Sequence, residues 1–190
     1  MNIPRLSPLH SHLLVVDVQD KLLVKMPDAA SLVRDVGFLI DVAQLINVPV
    51  FATEQYPKGL GPTTEAIARR LPAELPAKLT FSCCGAPGLV DTLKSGTRNQ
   101  VVLTGMETHV CIMQSALDLL AEGFEVFLPV DALQSRGDID HDVALARMDN
   151  AGAVLTTVEA VAFEWLGSSD HAQFKAISKM IQTRMAEISA

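Results

Sequence analysis

The strongest constraint on the fold is a set of six short runs, most of them continuously apolar rather than alternating: His12 to Val18, Val48 to Glu54, Lys78 to Ser82, Gln100 to Met106, Glu125 to Asp131 and Ala153 to Glu159. A strand with one wet face alternates apolar and polar residues, whereas a parallel strand covered on both faces does not. Between the runs the period becomes helical. Leu32, Val36, Leu39, Ala43 and Ile46 make one apolar stripe, and Ile112, Ala116, Leu119 and Leu120 make another. Strand and helix take turns, which predicts an open, Rossmann-like α/β sheet wound by right-handed crossovers.

At 190 residues the chain is read as one domain spanning 1–190, without repeat or linker. Two segments break the alternation: Gln55 to Pro62 (QYPKGLGP) after the second run, and Ser135 to His141 (SRGDIDH) after the fifth. Both follow the carboxyl end of a strand, where open α/β sheets place ligands. The segment from Ser169 carries Phe174, Ile177, Ile181 and Ile188 on one stripe, a face to cap the sheet or to dock on another subunit.

Composition narrows the partners. The hydrophobic fraction is 49%, but the runs are far shorter than the ~20 residues of a membrane span. Met1 to His10, with Pro4 and Pro8, lacks the apolar stretch of a secretory signal, so a cytoplasmic protein is expected. A net charge of −7 without a Lys/Arg cluster argues against nucleic acid and for a small-molecule substrate. Cys83, Cys84 and Cys111 are odd in number, so at least one thiol is free.

Three residues stand where chemistry is expected. Cys111 lies just past the run QVVLTGM and opens an amphipathic helix, where the helix dipole would lower its thiol pKa; the alternative is a small buried core residue. Asp17, in LLVVDVQD, ends a buried strand and must find a partner or neutralise, unless it caps the next helix. Lys78 opens KLTFS and either reaches the same edge of the sheet or is solvated. Glu54, Gln55 and Tyr56 bind substrate or simply end their strand. Cys83 and Cys84 border the pocket or fill the core, and Trp165 packs.

The pattern G-x-x-T-x-x-C in Gly105 to Cys111 (GMETHVC), the apolar-D-x-Q of the first strand and the K-x-x-F-S at Lys78 together resemble the isochorismatase-like cysteine hydrolase family. The similarity continues through ALQSR (132–136), ALARM (144–148) and AGAVLTTVE (151–159). What the resemblance implies is a three-layer α/β/α sandwich with a six-stranded parallel sheet and a catalytic triad of Asp17, Lys78 and Cys111. Cys111 would attack an amide-type carbon to give an acyl-thioester, and Asp17 would accept and return the proton. Lys78 would keep Asp17 ionised and favour the thiolate, leaving Cys111 largely ionised well below the ordinary thiol value of ~8.5. The resemblance further implies a cis peptide at Met106–Glu107 that turns the amides of Glu107 and Cys111 toward a developing oxyanion.

Nicotinamidases of that family hold a metal through an Asp and two His after the second strand. Here that segment, TEQYPKGLG, has no histidine, so no metal and no cofactor are expected, and the sequence resembles the metal-free branch. Substrate contacts are expected from Gln19, Glu54, Tyr56, Thr108 and His109, and a homo-oligomer from the apolar content and the C-terminal stripe. Two other readings remain: a nonhydrolytic small-molecule-binding or thiol redox protein on the same fold, and a dinucleotide-binding domain, weakened because VDVQDK stands where a G-x-G-x-x-G would follow the first strand.

Overall fold

The computed structural model describes residues 5–188; the first four residues of the leader stretch lie outside them. Seven strands are present among the described residues: β1 (Ser11–Val16), β2 (Val50–Gln55), β3 (Ala77–Lys78), β4 (Gln100–Met106), β5 (Glu125–Pro129), β6 (Leu133–Gln134) and β7 (Val154–Thr156). Six of them form a parallel sheet in the order β3-β2-β1-β4-β5-β7, while β6 pairs with the end of β4. The six expected strands are therefore joined by a seventh, two residues long and missed because it has no apolar run of its own.

The third strand is also shorter than expected. Only Ala77 and Lys78 join the ladder, because the chain after them turns so that the Thr80 and Phe81 carbonyls face the Lys78 ammonium and Ser82 caps a 3-10 turn at Cys83–Gly85.

The helices are α1 (Asp20–Leu23), α2 (Ala29–Leu45), α3 (Pro57–Leu60), α4 (Glu65–Ala68), α5 (Leu89–Lys94), α6 (Met113–Ala121), α7 (Asp138–Asn150), α8 (Val158–Leu166) and α9 (Phe174–Ile188). Every residue of β1 and β4 is buried, as unbroken apolar runs require. Their side chains still alternate between two cores. Leu13, Val15, Val102 and Met106 pack with α2, α8 and α9. Leu14, Val16, Val101 and Leu103 pack with α5, α6 and α7. The result is three layers, helix over sheet over helix.

Both helical stripes pack as their spacing predicts, with Leu32, Val36, Leu39 and Ala43 buried on α2 and Ile112, Ala116 and Leu119 on or beside α6. On α9 the stripe holds through Ile177 and Ile181 but not Ile188, which is exposed. Arg184 takes the next inward position, donating to Asp35 on α2 at 2.7 Å and to Asp131 at 2.9 Å. No helix among the described residues is long and apolar enough to cross a membrane.

Candidate active site

The order of the strands decides where the polar residues meet. β3, β2, β1 and β4 are neighbours, and the chain reverses direction across the sheet between β1 and β4, the switch point at which α/β sheets open a crevice. Lys78 ends β3, Thr53 and Gln55 lie at the end of β2, Asp17 follows β1, and Cys111 follows β4 within a π-helical turn, Thr108–Ile112. Two backbone features aim the last two. Asp17 is left-handed, with φ 57°, a conformation that Asp tolerates better than most residues. Gly105 has φ 121° and sits where an added Cβ would lie 2.1 Å from the Val16 carbonyl oxygen, so only glycine lets β4 approach β1 here. The following Met106–Glu107 peptide is cis.

The Lys78 and Asp17 side chains are both wholly buried and meet with Nζ to Oδ2 at 2.6 Å. Lys78 also donates to Gln55 Oε1 at 2.7 Å and to the Phe81 and Thr80 carbonyls at 2.9 and 3.3 Å. Thr53 donates to the other Asp17 oxygen at 2.9 Å. A buried ion pair is tolerable only when its remaining polar capacity is filled in this way. The Cys111 thiol donates to Gln55 Oε1 at 4.0 Å and lies near enough to Asp17 and Lys78 for both charges to act on it. Carboxylate, ammonium and thiol thus form one enclosed cluster.

Its electrostatics differ from the sequence expectation. Burial and then the negative charge of Asp17 push the Cys111 thiol up to about 12, against the opposing pull of Lys78. The expected thiolate is therefore replaced by a neutral thiol. The sulfur is sealed among apolar neighbours and faces a carboxylate as well as an ammonium, which outweighs the helix dipole. Burial also raises Asp17 above the ordinary carboxylate value, countered by Lys78. A carboxylate made more basic and enclosed in the same cluster as a protonated thiol is suited to accept a proton.

The remaining expected site residues fall in different places. Gln19 is fully buried and its amide faces its own chain, accepting from the Gln55 amide at 2.8 Å and donating to the Gln55 and Gly61 carbonyls at 3.1 and 2.5 Å. Glu54 accepts from the Thr63 amide and hydroxyl at 2.6 and 2.8 Å, closing the loop. Tyr56 is half exposed, with its ring over Gly59. Thr108 is buried, its hydroxyl 2.9 Å from His141 Nδ1, and His109 is partly exposed, its Nδ1 2.9 Å from Ser135 Oγ.

Thr53 and Gln55 were not singled out as members of the centre. Gln55 was visible only as a polar residue ending a strand; nothing in its spacing shows that its amide stands between Lys78 and Cys111. Cys83 is buried, Cys84 is partly buried, and all three cysteines are unpaired. Among the described residues, no three His, Cys, Asp or Glu side chains gather as ligands for a metal ion. A separate cavity of about 480 Å³ lies between α2, α4 and α9. Its arginines are each matched by a carboxylate: Arg34 with Asp35, Arg70 with Asp41, and Arg184 with Asp35 and Asp131.

A parallel sheet with helices on both faces and a buried polar cluster at its switch point defines a doubly wound α/β protein. Residues 11–160 match the isochorismatase domain model, and the chain belongs to that family of hydrolases. It is 39% identical over 180 residues to isochorismatase domain-containing protein 2 of Macaca fascicularis, covering 94% of this chain and 86% of that protein. Among solved structures, the MAR1 ribonuclease of Caenorhabditis elegans superposes with a TM-score of 0.88 at 39% identity, covering 94% of this chain and 93% of that one.

YcaC from Pseudomonas aeruginosa, solved with hexane-2,5-diol and covalent acrylamide, gives 0.86 at 26% identity, covering all of this chain and 98% of that one. The YcaC gene product of Escherichia coli, described as an octameric hydrolase of unknown specificity, gives 0.86 at 26% identity, with coverage of 100% and 97%.

Proposed function

We propose that the chain is a cysteine hydrolase that cleaves an amide-type carbon–nitrogen bond in a small polar substrate through an acyl-thioester on Cys111. The observation that carries this reading is the buried cluster in which Lys78 holds the Asp17 carboxylate at 2.6 Å and Gln55 Oε1 at 2.7 Å, with the Cys111 thiol on that same Gln55 oxygen at 4.0 Å.

As the sulfur–carbon bond forms, the thiol proton passes to Asp17 and the carbonyl electron pair moves onto oxygen, where the amides of Glu107 and Cys111 are assigned to stabilise it. Collapse of this intermediate re-forms the carbonyl and breaks the carbon–nitrogen bond, while Asp17 gives its proton to the departing nitrogen. Water then attacks the thioester. Asp17 takes the water proton, and the sulfur leaves as the thiol once that proton is returned to it. Lys78 keeps Asp17 ionised between steps. Because the resting thiol is neutral, deprotonation accompanies attack rather than preceding it.

Substrate selection is assigned to the exposed Tyr56 and the partly exposed His109, together with the exposed Leu79 and Phe81 beside Lys78. Gln19 and Glu54 hold the surrounding backbone, and Thr108 meets the His141 side chain. A homo-oligomer is part of this reading, supported by the octameric YcaC relative and by the exposed Leu79, Phe81, Ile139 and Val143. So is a cytoplasmic setting, where unpaired cysteines persist. RNA, which the name of the C. elegans relative suggests, is disfavoured by the net charge of −7.

The deciding experiment is intact-mass detection of an acyl adduct after mixing with p-nitrophenyl acetate and then a panel of small amides. An adduct on Cys111 that turns over, absent in Cys111→Ala, is the expected result. If the wild type never acylates with any of them, the hydrolase reading is lost and a nonhydrolytic thiol protein takes its place.

A further inference from the structure

The Ser135–His141 segment, which the alternation of strands and helices left unexplained, grips three consecutive residues of the turn that leads to Cys111. The short strand β6 pairs Leu133 with Gly105 and Gln134 with Met106, so its ladder stops at the cis peptide. From that point side chains continue what the backbone began. Arg136 Nε donates to Glu107 Oε2 at 2.8 Å. His141 Nδ1 shares a hydrogen bond with the Thr108 hydroxyl at 2.9 Å. Ser135 Oγ accepts from the His109 amide at 3.3 Å and meets His109 Nδ1 at 2.9 Å. Thr108 and Ser135 are buried, so each needs its partner, and losing one leaves a polar group unsatisfied. The turn's own backbone also returns on itself, the Val110 and Ile112 amides donating to the Glu107 carbonyl at 3.1 and 3.2 Å.

We infer that Ser135, Arg136 and His141 are positioning residues that hold residues 107–109 so that the Glu107 amide, and the Cys111 amide two residues further on, face the developing oxyanion. This rests on the hydrolase reading. It assigns a role to side chains that touch neither Cys111 nor Asp17, and it explains why a threonine stands midway between Gly105 and Cys111. The clamp reaches the turn from the strand on the side of β4 away from β1, so it acts on the oxyanion side and leaves the Asp17–Lys78 pair alone.

Two electrophiles separate this role from a general loss of structure. Acylation of Cys111 by p-nitrophenyl acetate passes through a tetrahedral oxyanion, whereas alkylation by iodoacetamide does not. His141→Ala is expected to slow acylation about tenfold or more, the scale of a misplaced catalytic geometry, while alkylation changes less than about twofold. His141→Asn, which keeps a polar atom near the position of Nδ1, should recover most of the acylation rate. Amide hydrogen exchange over 107–112 should speed up in His141→Ala and in Ser135→Ala, with β1 unchanged.

Parallel falls in both rates, or no fall in either, would overturn the inference. A wild type that alkylates but never acylates removes the hydrolase reading instead; exchange then decides, and unchanged exchange over 107–112 in His141→Ala overturns the clamp.

Discussion

At the scale of single residues, the thiol is the group whose behaviour the fold changes most. Since burial and Asp17 hold it up at about 12, iodoacetamide labelling of Cys111 should be slow at neutral pH and rise through the alkaline range. The causes have opposite signs, and so do the variants. Asp17→Asn removes a charge that opposes the thiolate, so labelling at a given pH should quicken even as acyl transfer is lost. Lys78→Ala should slow labelling. Rates measured against pH with the site resolved by mass spectrometry check both, and slower labelling in Asp17→Asn would reverse the assigned order of charges. Lys78→Met should also destabilise the fold by about 3–5 kcal/mol in urea, because it strands a buried carboxylate.

His12 behaves differently. It is buried, Nε2 faces the Leu93 carbonyl at 3.2 Å, and Nδ1 has no hydrogen-bond partner among the described residues. Burial lowers its pKa. The unfolded chain therefore takes up the proton more readily, and stability from this site is lost as pH falls below the unfolded value of ~6.5. The midpoint of thermal unfolding should drop less between pH 7 and pH 5 in His12→Phe than in the wild type.

At the scale of elements, the decisive contact is that of β4 with β1. Gly105→Ala would drive a Cβ to 2.1 Å from the Val16 carbonyl at φ 121°, where neither backbone can yield without parting the strands that carry Asp17 and Cys111. Insoluble protein, or a melting temperature lowered by many degrees, is the expected outcome of expressing this variant. Full activity with unchanged melting would show that the close approach is dispensable. The C-terminal helix α9 is attached by a different force. Ile177 and Ile181 are buried in the core, and Arg184 ties the helix to Asp35 and Asp131. Arg184→Ala should cost about 3 kcal/mol, by leaving two carboxylates short of a partner.

At the scale of the whole molecule, apolar side chains around the carboxyl end of the sheet, among them Leu79 and Phe81, stay exposed in the single chain. Surfaces of this kind are covered in assemblies. Light scattering at micromolar concentration should give a mass several times 20.4 kDa, and a monomer peak would remove the proposed oligomer.

The sequence alone determined the central strands, the two helical stripes and their burial. Unbroken apolar runs can satisfy their backbone and hide both faces only in a covered parallel sheet, and the helical stripes of α2 and α6 leave one side each to pack. It also marked Asp17 at the end of a strand, Cys111 just past one, and Lys78 as the opening of a strand that it in fact closes. Their convergence was decided by tertiary structure, because strand order, and not spacing along the chain, makes β3, β2, β1 and β4 neighbours. The same holds for Thr53 and Gln55, which acquire partners only across strands, and for β6 and the grip of Ser135–His141, whose residues lie 26 to 33 positions from those they hold. The protonation of Cys111 was set last, since desolvation and the balance between one carboxylate and one ammonium exist only once the sheet has closed around them.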